Sequence, residues 1–192
     1  MKLYKTPGIF KKIYPDFFWS IPAENTIYLT FDDGPTPKIT EWVLSELNKF
    51  NAQATFFCIG KNVKENLSIY QNILSAGHSV GNHTFNHLKG RNTDTQSYLL
   101  DIDKTNELIN SNLFRPPYGS IKPRQSKQLK PEMKIIMWDV LSYDWEQDLD
   151  VEKAYHKIIQ ATQPGSISVF HDSLQASENL KVLLPKLLSF GK

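Results

Sequence analysis

From residue 26 onward the chain alternates two apolar patterns. Short dense runs of β-branched and aromatic residues, such as Thr26-Ile27-Tyr28-Leu29-Thr30-Phe31 and Ala54-Thr55-Phe56-Phe57-Cys58-Ile59, read as buried strands bounded by turn residues. Between these two runs Ile39, Val43, Leu44, Leu47 and Phe50 recur at helical spacing, which predicts a helix with Thr36 as N-cap and Pro37 at its first position. A second helix is expected over 63–76, stopped by Gly77. The alternation continues with a short strand at 78–80, a helix at 95–110 and a strand end at Leu113-Phe114. A helix at 123–129, a buried strand at 134–138, a helix at 151–161 and a strand at 166–170 come next. A last helical stretch covers 180–188, with Pro185 marking either a kink or the true start.

Repeated strand-then-helix units specify a parallel sheet with right-handed crossovers, open or closed. Asp32 and Asp33, Arg115, Asp139 and His171 all directly follow expected strands. In a parallel barrel the strand ends share one mouth, where such residues converge. The expectation is therefore an α/β fold, a distorted and incomplete (β/α) barrel of about seven parallel strands in a single domain. Residues 1–25 stand outside the alternation and read as an N-terminal extension packed on a domain covering 26–192.

Composition narrows the function classes. With 192 residues, 40% hydrophobic and 12% aromatic, the chain has enough apolar material for a substantial core. A net charge of +2 without a long basic block gives no footprint of a nucleic-acid binder. The single cysteine, Cys58, excludes an intramolecular disulfide and reads as a small buried hydrophobe. Lys2, Lys5, Lys11 and Lys12 are not followed by an apolar stretch of signal-peptide length, and no run of about twenty apolar residues follows elsewhere. The expectation is a cytoplasmic protein not associated with a membrane, or an exported one if upstream residues were trimmed. The oligomeric state is left open.

Four short motifs carry the chemistry: Thr30-Phe31-Asp32-Asp33-Gly34-Pro35, His83-x-x-x-His87, Arg115-Pro116-Pro117-Tyr118-Gly119 and Phe170-His171-Asp172. Adjacent carboxylates at a tight turn can point apart, one toward a cation and one free as a base, although Asp-Asp-Gly-Pro is equally an ordinary polar turn. His83 and His87, four apart, would share one face of a helical turn and chelate one ion. Two imidazoles and a carboxylate leave positions open for water and substrate. Arg115 on a rigid Pro-Pro loop can hold a carboxylate ionised. His171 stands at the same end of the sheet, whereas His78 and His156 have no such company.

This set, spread over residues 27–188, resembles the polysaccharide deacetylases, the family 4 carbohydrate esterases built on the NodB homology domain. The resemblance implies a metal-dependent hydrolase that removes N-acetyl groups from N-acetylglucosamine-containing glycans, chitooligosaccharide or peptidoglycan, and releases acetate. It implies Asp32 as general base and Asp33, His83 and His87 as ligands of one divalent ion, most often zinc, with cobalt, manganese or nickel as substitutes. Arg115 would orient the base, the Tyr118 N–H would help form the oxyanion hole and His171 would be the general acid. Segment 138–145 resembles the fourth family motif, with Asp144 tuning the acid and Trp145 walling the acetyl pocket; Asp139 is a second-ranked partner in that network. Val169 stands where the family usually has Leu, which alters the methyl pocket and not the chemistry. Two alternatives remain: an O-acetyl (xylan-type) esterase or non-sugar amide hydrolase on the same site, and a non-catalytic carbohydrate-binding relative, which the intact set of residues argues against.

Overall fold

In chain order the strands are β1 (Tyr28–Asp32), β2 (Ala54–Cys58), β3 (Ser79–Asn82), β4 (Leu113–Phe114), β5 (Lys134–Ile135), β6 (Val140–Leu141) and β7 (Ile167–His171). The computed structural model describes residues 2–190. All seven strands form one parallel sheet in the order β5-β4-β3-β2-β1-β7-β6, curled into an incomplete barrel. β1 is central: Phe31 aligns with Phe56 on β2 and with Phe170 on β7. The Phe31 ring stacks on Phe56 at 5.1 Å and meets Phe170 tilted at 6.0 Å, and the three belong to the larger buried cluster. Val43 and Leu47 of α2 (Ile39–Lys49), Ile73 of α4 (Leu67–Ser75), Ile158 of α7 (Val151–Ala161) and Leu183 and Leu184 of α8 (Ser177–Phe190) complete it. Each such side chain contributes about 1.5–3 kcal/mol on burial. Cys58 is among these residues, as expected of a buried hydrophobe, and burial pushes its thiol pKa up.

Several boundaries differ from the sequence expectation, each for a local reason. Helix α2 starts at Ile39, because Lys38 holds a left-handed φ of 68° and serves as the N-cap. The Thr36 N–H donates to Thr40 Oγ1 at 2.7 Å, and the Lys38 N–H donates to Glu41 Oε2 at 2.8 Å. The expected helix at 63–76 is two helices, α3 (Gly60–Glu65) and α4, broken at Asn66, whose side chain donates to the Pro35 and Asn62 carbonyls. Helix α5 (Thr95–Asn106) is capped by Asp94, which accepts from the Ser97 N–H. α6 (Pro123–Leu129) lies where the sequence places it. Pro185 sits inside α8 rather than at its start.

The largest correction concerns 134–138. Only Lys134–Ile135 pair with β4; the chain then crosses to the opposite sheet edge, where Val140–Leu141 pair with β7. The two edges of the sheet are thus joined by residues 136–139, and segment 4–21, with α1 (Gly8–Ile13), fills the seam. The Phe18 N–H donates to the Ile135 carbonyl at 2.9 Å and the Met137 N–H to the Phe18 carbonyl at 2.7 Å. The Thr6 N–H donates to the Asp139 carbonyl at 2.8 Å and the Leu141 N–H to the Tyr4 carbonyl at 3.0 Å. Asp139 is fully buried in this seam, salt-bridged to Lys5 and Lys11 at 2.7 Å each and accepting from Ser166 Oγ at 2.6 Å. Those three partners hold its pKa below the ordinary carboxylate value against the effect of burial. Asp139 anchors the N-terminal segment and takes no part in the Asp144 network. No described helix is long and apolar enough to cross a membrane.

Candidate functional site

Asp32 ends β1 and points into the mouth of the barrel, where Arg115 meets it. Arg115 is completely buried, a costly placement unless its donors are satisfied. Four of its five N–H groups are: Nη1 donates to Asp32 Oδ1 at 2.6 Å and Thr30 Oγ1 at 2.8 Å, Nε to the Ile136 carbonyl at 3.2 Å and Nη2 to the Met137 carbonyl at 2.9 Å. The guanidinium also lies 4.1 Å from the Phe57 ring centroid. Burial lowers the Arg115 pKa, with the Asp32 charge opposing it. The crossing segment 136–139 is thereby bolted to the carboxylate. Asp32 Oδ2 accepts no hydrogen bond among the described residues and faces His83 Nε2 at 4.0 Å.

Asp33 turns away from Asp32 at a backbone φ of 83°, left-handed for a non-glycine residue. Its Oδ1 is 3.2 Å from His87 Nε2 and 3.7 Å from His83 Nε2, and the three ligand atoms lie within 4.8 Å of one another. A tetrahedral ion with bonds of 2.0–2.2 Å needs its ligands roughly 3.3–3.6 Å apart, so the donor set fits one with little rearrangement. The His83 Nδ1 faces the Arg115 carbonyl at 2.8 Å and so carries the proton, leaving the Nε2 lone pair toward Asp33. Burial lowers the His83 pKa to about 4, which keeps the imidazole neutral. Burial would raise that of Asp33, but the His87 hydrogen bond and the nearby His171, His83 and His87 bring it to about 2. Both groups hold the protonation state that a cation requires.

The two imidazoles meet without a helix. Segment 83–87 is irregular, with left-handed φ at Thr84 (63°) and His87 (56°). Asp101 of α5 fixes this segment from outside: its Oδ2 accepts from the Phe85 N–H at 2.8 Å and the Asn86 N–H at 2.9 Å. Tyr118, also left-handed at φ 59°, lays its ring against His87 with centroids 4.7 Å apart, and its N–H forms no hydrogen bond among the described residues.

Opposite the donor set stands His171, the last residue of β7. Asp144, fully buried, accepts from His171 Nδ1 through Oδ1 and from the His171 N–H through Oδ2, both at 2.8 Å. Ser142 Oγ donates to the same Oδ1 at 2.8 Å. Burial lowers the His171 pKa, yet the Asp144 charge and hydrogen bond, aided by Asp33 and Asp32, raise it to about 9. The ring is therefore protonated at neutral pH. Trp145 meets it edge-on at 4.7 Å.

Asp32, Asp33, His83, His87, Tyr118, Trp145, Val169 and His171 line one cavity of about 850 Å³, and Arg115 and Asp144 sit directly behind it. His78 instead accepts from the Ala54 N–H beneath the sheet. Sequence reading passed over Trp138, Leu141 and Asn62, which also line the cavity; the Asn62 side chain donates to the Asp33 carbonyl at 2.7 Å. An Asn two residues into a helix gives no signal of that kind, whereas the aromatic at Trp138 did stand in a singled-out segment.

Comparison with known proteins agrees with this geometry. The family model described as polysaccharide deacetylase matches residues 20–133. A peptidoglycan-N-acetylglucosamine deacetylase of Bacillus cereus is 32% identical over 177 residues, covering 86% of this chain and 64% of its own length. A chitooligosaccharide deacetylase of Azorhizobium caulinodans is 35% identical over 163 residues, covering 81% of this chain and 77% of its own. A crystallised peptidoglycan N-acetylglucosamine deacetylase superposes with a TM-score of 0.82 at 28% identity, over 97% of this chain and 92% of that one. The motif-bearing half of the sequence, the curled parallel sheet and the residues gathered at its mouth agree on one assignment: the chain belongs to the polysaccharide deacetylase family.

Proposed function

We propose that the protein hydrolyses the acetamide of N-acetylglucosamine units in a peptidoglycan or chitooligosaccharide glycan, giving acetate and a free amino sugar. One observation carries this reading. A carboxylate and a protonated imidazole, each locked by its own buried partner, flank a three-residue donor set suited to a cation. A divalent ion held by Asp33 Oδ1, His83 Nε2 and His87 Nε2, zinc by preference with cobalt, manganese or nickel as substitutes, would polarise the acetamide carbonyl and acidify a water.

The chain's own groups supply the rest. Asp32, fixed by Arg115 through Oδ1, offers Oδ2 to take the proton from the attacking water. The Tyr118 N–H, unpaired among the described residues, is available to the oxygen as negative charge develops on it. His171 gives its Nε2 proton to the departing nitrogen as the C–N bond breaks, and Asp144 stabilises the imidazolium until then. Trp145, Leu141 and Val169 form the apolar wall for the acetyl methyl.

Acetate release from chitooligosaccharides, isolated peptidoglycan, acetylated xylan and a simple anilide tests the reading. Turnover confined to N-acetylated glycans is the expected result. Faster release from xylan would transfer the same machinery to O-acetyl esters, and no release from any of the four would refute it.

A further inference from the structure

We infer that Asp172 is a positioning residue for Asp33, setting the backbone of the turn that aims this carboxylate at the candidate metal site; the inference rests on the proposed function above. The turn 33–38 has no regular secondary structure, so its shape depends on discrete bonds. Asp172, fully buried beside His171, accepts from the Gly34 N–H at 3.0 Å through Oδ1 and from Thr40 Oγ1 at 2.5 Å through Oδ2. Thr40 Oγ1 in turn accepts from the Thr36 N–H at 2.7 Å, which leaves its hydrogen free for Asp172. One carboxylate thus grips the turn one residue after Asp33 and, through Thr40, again at Thr36. The Asp172 N–H also donates to the Asp32 carbonyl at 3.1 Å, so the grip is referred to the β1 end itself.

Gly34 is shaped for this contact. A Cβ at that position would lie 2.0 Å from Asp172 Oδ2 and 2.6 Å from Oδ1. Only a residue without a side chain lets the carboxylate reach the backbone. Asp33 holds a left-handed φ of 83°, a conformation that is strained for a non-glycine residue and persists only under outside restraint. Asp172 supplies that restraint from β7, and Asn62 supplies it from α3 by donating to the Asp33 carbonyl.

The test is zinc affinity of the metal-stripped protein, measured by competition with a chromogenic chelator, with folding followed by circular dichroism. Asp172→Ala should weaken zinc binding by about tenfold or more, in the range seen when a ligand's support is removed. Asp172→Asn keeps an acceptor for the Gly34 N–H, can hold Thr40 by donating from Nδ2 to the second lone pair of Oγ1, and should stay within about threefold of the unsubstituted chain. Excess zinc should restore most of kcat in Asp172→Ala, which a residue acting in the chemistry itself would not allow. Thr40→Val, close in shape, removes one arm of the grip and should weaken zinc severalfold even if Asp172→Ala does not fold. Unchanged zinc affinity in Asp172→Ala or, should that variant not fold, in Thr40→Val would overturn the inference, as would equal losses in Asp172→Asn and Asp172→Ala. Failure of the unsubstituted chain to bind zinc would instead refute the metal site.

Discussion

Asp32 and Asp139 bring the same group into the interior and spend it differently. Both are buried, both follow apolar runs and both are neutralised by cations. Asp139 uses both of its oxygens within the fold: Lys11 takes one, Lys5 and Ser166 the other. Asp32 gives one oxygen to Arg115 and keeps the second for the cavity. Asp144 is a third case, with both oxygens held by His171 and one of them also by Ser142, and it therefore acts through His171. A buried ion pair alone is weak evidence for function. The oxygen that the fold leaves unspent, aimed at a donor set, is the stronger sign.

The sharpest break between the two carboxylates should come from removing one charge at each. Asp32→Asn keeps the shape and the Arg115 contact but loses the base, and kcat should fall by about 10²–10⁴-fold. Steady-state acetate release checks this; activity within tenfold of the unsubstituted protein would assign the base elsewhere.

Asp144→Asn should act more mildly and shift the pH profile. His171 is protonated below its folded pKa of about 9, so kcat/KM should fall as pH rises through that region. Without the Asp144 charge the His171 pKa returns toward its ordinary value, and the alkaline limb should move down by a unit or more. The same shift has a stability sign. A histidine whose pKa is raised on folding contributes stability in full below its unfolded value, and the contribution disappears as pH climbs through about 9. An alkaline limb unmoved in Asp144→Asn would separate the two residues functionally.

Asp139→Asn should have the smallest effect on catalysis. Expected is a kcat/KM within about twofold and a loss of about 2 kcal/mol in stability, limited because Lys5 and Lys11 are partly exposed. Urea unfolding alongside activity decides it. Because folding depresses the Asp139 pKa, its contribution is present above the unfolded value near 3.8 and lost as pH falls below it. A large drop in kcat with stability unchanged would return Asp139 to the active site.

The legible part of the sequence was local. Strand runs ending in Asp32-Asp33, Arg115 and His171 placed those groups at one mouth because parallel strands share an end. The His-x-x-x-His motif gave the right pair and the wrong backbone, since Thr84 and His87 are left-handed and the carboxylate that fixes the segment, Asp101, lies more than a dozen residues on. The run 134–138 looked like one strand because apolarity records burial and not pairing; two residues pair and the rest cross the seam. Asp139 was ambiguous for a similar reason. Its lysines come from the first eleven residues, and no pattern near position 139 announces them.

The division of labour between two adjacent carboxylates is the centre of the proposal, and metal content tests it most directly. Elemental analysis of the unsubstituted protein, Asp32→Asn and Asp33→Ala, each loaded with zinc and desalted, reads it in one experiment. One ion per chain in the first two, and its loss in Asp33→Ala, is the predicted result. Equal loss in both variants, or full retention in Asp33→Ala, would contradict it.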